Sequence, residues 1–185
     1  MQMIRILIVV ALQTFALAYM IVDRQHMLDA SRVATLKVVP VDPQDLFRGD
    51  YVVLNYDISR LDVKKIDGDD SFQSGDTVFV VLRKGEGEDW TAVSVWKKPI
   101  STSGGDIAVQ ATVNSFDSAS GDSPSNVWLT YGVESYFVPQ GTGRAIEEQA
   151  RNGKLSVDIA VDKRGRAAIK ALRSNGKVFY TEGIF

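Results

Sequence analysis

The chain opens on a run that is apolar almost without interruption. Between Ile6 and Val22 only Gln13 and Thr14 are polar. At 1.5 Å rise per residue this run gives roughly 26 Å of helix, close to the ~30 Å of a bilayer core. Arg5 can extend its guanidinium to the interface and so lengthen the apolar column. No amphipathic face organises the run, which argues against a helix buried in a globular core. After Asp23 and Arg24 the chain turns polar and continues as a short stalk to Arg32. The period then changes from helical to alternating, the pattern of half-buried strands. Alternation predicts strands over 33–40, 51–58, 77–84, 90–97, 106–114, 126–138, 155–161, 166–173 and 177–181. Turn-rich clusters separate them, among them DGDDSFQSGD, RKGEGED, STSGGD and DSASGDSPSN. One segment departs from the alternation. Arg144 to Arg151 is rich in helix formers, with Thr142 placed to cap it and Asn152-Gly153 to stop it.

The expected fold class is therefore mostly β (α+β): an N-terminal transmembrane helix, then an antiparallel β-sandwich or barrel-like domain with one short helix. The expected division is 1–30 for anchor and stalk and 31–185 for the β-rich domain. The start of the chain also admits a signal-peptide reading, with Ala16-Leu17-Ala18 as an A-x-A-like site cleaved after Ala18. The apolar run continues past that site through Tyr19-Met20-Ile21-Val22, which favours an uncleaved anchor. Arg5 and the α-amine precede the span, while Asp23 offsets Arg24 after it. The positive-inside bias then places the N-terminus in the cytoplasm. The expected location is the inner (cytoplasmic) membrane, single-pass, with the C-terminal domain extracytoplasmic or periplasmic.

Composition narrows the chemistry. The 185 residues contain no cysteine and one histidine, His26. Disulfides, thiolate catalysis, His-based triads and His-cluster metal centres are excluded. With 21 basic and 23 acidic residues the net charge is −2, and no basic stripe supports nucleic-acid binding. DGDD at Asp67 to Asp70 offers oxygens suited to calcium but lacks the spacing and closing glutamate of an EF-hand. QGTGR, before the expected helix, lacks the spacing and the Lys-Ser/Thr of a phosphate-binding loop. No cofactor or metal site is expected.

The most unusual run is LFRGDYVVLNYDIS, Leu46 to Ser59. As one strand it would put Val52, Leu54, Tyr56 and Ile58 on a core face, and Tyr51, Val53, Asn55 and Asp57 on the other. Arg48 and Asp50 flank the Gly49 turn. Gly-Asp also precedes alternating strands in SGDTVFVVL and GGDIAVQATV, which turn chemistry explains without a repeat. Further on, the strand expected over 126–138 puts Glu134 and Tyr136 on one side. Arg144 is the natural charge partner of Glu134. Two uses compete for these residues: register-setting and strand-to-helix pairing, or a polar groove for a ligand or partner.

GDYVVLNY at Gly49 to Tyr56 resembles the pattern of the GDYXXLXY family of bacterial membrane-anchored proteins. VPVDPQDLFRGDYV and YGVESYFVPQGTGRAIE, Tyr131 to Glu147, are similar to that family as well. The resemblance implies a single-pass anchor with an outward domain, and a multi-pass membrane protein as partner. It carries over no activity, only the motif positions Gly49, Asp50, Tyr51, Leu54 and Tyr56. Gly-Asp entering a strand after an anchor is also similar to type I signal peptidases. PVDPQDLFRGD lacks their Ser-x-Met nucleophile, so peptidase activity is not supported.

Two functions remain. The first is a non-enzymatic accessory or binding module acting with a membrane protein partner, its groove near Tyr51, Asn55, Asp57, Glu134, Tyr136 and Arg144. The second is a periplasmic carboxylate-dependent hydrolase or carbohydrate-active enzyme using Asp50, Asp57, Glu134 or Glu147, which requires two carboxylates in one cleft.

Overall fold

A computed structural model describes residues 2–28, 32–40, 51–119, 124–137 and 143–181. The apolar run is a single helix, α1, Gln2–Leu28. Its large apolar side chains from Met3 to Val22 are all exposed, from 50% at Val22 to 78% at Met3. No protein surface covers any face of this segment. Met3–Leu28 is long and apolar enough to cross a membrane.

Strand β1, Arg32–Val39, follows α1. The GDY segment supplies β2, Tyr51–Val53, and β3, Asn55–Tyr56, then a 3₁₀ turn at Asp57–Ser59 and β4, Arg60–Asp62. The acidic turn contributes β5, Asp67–Gly68. The central strands are β6, Thr77–Lys84, β7, Trp90–Trp96, β8, Ile107–Asp117, and β9, Asn126–Thr130. The C-terminal part adds β10, Ser135–Phe137, helix α2, Gly143–Arg151, β11, Leu155–Val161, β12, Ala167–Ser174, and β13, Lys177–Thr181.

The domain is mostly β, as the alternation predicts. One sheet has the order β13-β12-β11-β1-β3 and the other β4-β9-β8-β6-β7-β5, with β10-β2 a separate two-stranded ribbon. Strand pairings are antiparallel except β5 with β7. Both sheets feed one core that includes Leu36, Tyr56, Val80, Val109, Val127, Ile159 and Leu172. Helix α2 closes on that core through Ile146 and Ala150. It ends in a Schellman pair, with the Lys154 amide donating to the Gln149 carbonyl and the Gly153 amide to that of Ala150. The expected cap Thr142 lies outside the described residues.

Two long strands expected from alternation are broken. The segment 51–58 divides at Leu54, whose amide donates to the Glu134 carbonyl oxygen (2.7 Å), and ends in the 3₁₀ turn. The segment 126–138 divides at 131–134, where Gly132 has φ +79°, a backbone state that a side chain would strain. Alternation counts side chains, but it does not detect a turn that restores the extended direction a few residues later.

Candidate site: the clasp at the foot of the apolar helix

The two broken segments run beside each other and interlock. At one end β2 pairs with β10, Val52 opposite Tyr136; at the other β4 pairs with β9, Leu61 opposite Val127. Between these ends the strands bow apart, and two tyrosines cross the gap in opposite directions. The Tyr56 hydroxyl donates to the Val133 carbonyl oxygen (2.6 Å), and the Tyr131 hydroxyl donates to that of Ile58 (2.8 Å). Both rings are buried, at 1% and 6% exposure. Burial pushes both phenols well above their ordinary pKa, and the negative charge of Glu134 adds to each shift. A buried phenol with a carbonyl partner is satisfied only while it keeps its proton.

β3 also pairs with β1, Tyr56 opposite Val38 and Asn55 opposite Val39. The segment from Asn55 to Asp62 is thus one covalent crossing between the two large sheets, the run from β9 to β11 being another, and the reciprocal tyrosine bonds tie the two crossings together.

The expected site residues take several different positions. Arg48, Gly49 and Asp50 lie outside the described residues, as do the side chains of Tyr51, Arg144 and Glu147. Leu54 is buried in the core, and Asn55 is half-buried beside β1. Asp57 is exposed at the start of the 3₁₀ turn. Surrounding protein nevertheless raises its carboxyl above the ordinary value, opposed in part by the Ile58 amide and augmented by the charge of Asp89. Glu134 turns back on its own loop, accepting from the amides of Tyr131 and Gly132 (2.9 Å to the latter). The expected pairing of Glu134 with Arg144 lies outside the described residues.

Tyr136 departs from its expected side. It does not flank Glu134 on a polar face; it is buried edge-to-face on Tyr180, with centroids 5.7 Å apart. The turn at 131–134 inverts the alternation after Val133, so Ser135 is exposed and Tyr136 points inward. Tyr136 and Tyr180 line a cleft of about 260 Å³ with Arg24 of α1, Val133, Ala168 and Ile169. Asp57 and Glu134 line none of the described clefts. Asp69, in the acidic turn, accepts from the Lys97 amide (2.7 Å) and so fastens β5 against β7. Among the described residues no group of three His, Cys, Asp or Glu is arranged to hold a metal ion.

Sequence reading missed two polar clusters because their members are far apart in the chain. Asp158, 6% exposed, accepts from Thr35 Oγ1 (2.7 Å) and Arg173 Nε (2.7 Å), and Arg173 reaches Glu88 (3.3 Å). Arg166 grips Asp23 of α1 through both terminal nitrogens (3.2 Å each) while its Nε holds Asp162 (2.7 Å). The second cluster fixes the domain to the foot of the apolar helix.

These features define a class: a β domain that contacts the foot of one exposed apolar helix and is closed by a tyrosine clasp between two separated motifs. The GDYXXLXY protein family model matches residues 13–172, most of the chain, and the chain belongs to that family. No curated protein and no solved structure matches it.

Proposed function

We propose that the chain is a non-enzymatic accessory module of the cell envelope. In this reading α1 sits in the inner membrane, the β domain stands on the periplasmic side, and the module acts with a membrane protein partner. The observation that carries the reading is the use made of the motif. Leu54, Tyr56, Tyr131 and Glu134 direct their polar groups into the fold, where they set shape instead of facing a substrate. The run of α1 from Met3 to Val22, uncovered on every face, supplies a surface that lipid or a second transmembrane helix can occupy.

The test is photo-crosslinking of the full-length chain in native membranes, with the crosslinker at Phe15 or Leu17. The reading expects one multi-pass membrane protein from both positions, lost when α1 is replaced by an unrelated apolar helix. Adducts with lipid alone at both positions would overturn it.

The hydrolase reading keeps one supporting observation, the raised Asp57 carboxyl with Asp89 near it. It expects the purified chain to cleave polysaccharide or ester substrates and Asp57→Asn to abolish that turnover. Absence of any turnover by the purified chain would remove it.

A further inference from the structure

We propose that the face of the β domain beside α1 binds anionic phospholipid headgroups of the bilayer that the helix crosses. The apolar run of α1 ends at Val22. Asp23 directly follows Val22, the last residue of the apolar run, and Arg166 binds Asp23. The β11–β12 turn, residues 162–166, is therefore held at the membrane boundary.

That turn is basic. Lys163 and Arg164 form its exposed tip, and neither makes an ion pair among the described residues. They line a cleft of about 550 Å³ together with Arg32, and Pro99, Ile100 and Thr102 form its opposite wall. Asp162 also lines the cleft, but its oxygens are committed to the amides of Arg164 and Arg166 and to the Arg166 guanidinium. Arg32 positions the opposite wall by donating to Thr102 Oγ1 (3.2 Å) and to the Asp106 carbonyl oxygen (3.3 Å).

Ile100 is 39% exposed in the β7–β8 loop, two residues after Lys98, while Lys97 is paired with Asp76 (3.8 Å). Cations around an exposed aliphatic tip, at the height where a helix exits the bilayer, match the chemistry of the headgroup layer. Phosphodiesters would pair with Arg32, Lys163 and Arg164, while Ile100 reaches toward the acyl boundary. Each such basic side chain strengthens attraction to an anionic surface by about fivefold. The proposal does not depend on which side of the membrane the domain occupies, and it is independent of any protein partner.

The chain has no cysteine, so single-cysteine labelling is clean. The test uses full-length Ile100→Cys, carrying a polarity-sensitive fluorophore, in nanodiscs of phosphatidylcholine with or without phosphatidylglycerol. A label at Asn175→Cys, beyond the other end of β12, serves as reference. Quenching by spin-labelled lipid should rise at position 100 only in the anionic discs and fall back in Lys163→Glu/Arg164→Glu. Circular dichroism of that variant should match the parent, since both side chains are exposed. Inorganic phosphate added to the neutral discs should not reproduce the quenching. Equal quenching in both discs, or quenching unaffected by the charge reversal, would overturn the proposal. So would burial of the label only on adding an acidic membrane protein.

Discussion

Among single residues, Tyr56 and Tyr131 hold the clasp, each donating across the gap to a backbone carbonyl on the opposite segment. Replacing either by Phe leaves a buried carbonyl without its donor, for a cost of about 1–3 kcal/mol in chemical or thermal unfolding. The pH dependence has a definite sign. Both phenols have folded-state pKa values raised above the ordinary 10.0. Their contribution is therefore intact below pH 10.0 and is lost as pH rises further. Phenolate absorbance should show that these two tyrosines ionise only as the fold opens. The difference between the parent and Tyr56→Phe/Tyr131→Phe isolates their signal. Ionisation of both in the intact fold would contradict the clasp. The sequence made Tyr56 visible as an inward position, yet its partner could not be read. Val133 is 77 residues away and contributes only a carbonyl, a group every residue carries.

At the scale of elements, two contacts bind strands that sequence reading left separate. Gly68, with φ +126°, lies so close to β7 that an added Cβ would sit 1.9 Å from the Val95 carbonyl oxygen. Gly68→Ala must therefore displace β5, at a cost of about 1–3 kcal/mol. Amide exchange at Asp69, which donates to that same carbonyl, should accelerate markedly. Asp158 at the centre of β11 is ion-paired with Arg173 of β12 (2.7 Å). Arg173→Met should destabilise by about 3 kcal/mol, and adding Asp158→Asn should recover much of that loss in a denaturant titration. Most strands were legible, because β6 and β11, for example, alternate or bury a full run bounded by turn residues. β4 and β5 were not: one is three residues long and the other lies inside an acidic turn. The helix α2 was legible from its composition and stop, whereas the break at 131–134 was masked by an unbroken alternation in sequence. As for the candidate site, the sequence identified the two segments that meet. Tyr56 and Tyr131 bond across to the opposite segment, while Glu134 turns onto its own loop and Asp57 is exposed.

Across the whole molecule, a helix whose Met3–Val22 run buries nothing within the protein is held at its foot by Leu28, which is buried, and by the Asp23–Arg166–Asp162 chain. In water, so large an exposed apolar surface favours association, and in a bilayer it is solvated. In the proposed topology α1 spans the membrane and the β domain stands on its outer side. The most direct test of this topology labels single cysteines with a membrane-impermeant maleimide in spheroplasts, against a chain that has none of its own. Lys177→Cys, on the exposed start of β13, should label in intact spheroplasts, and Met3→Cys should label only after lysis. The reverse pattern, or extraction of the chain from membranes by alkaline carbonate, would contradict the account.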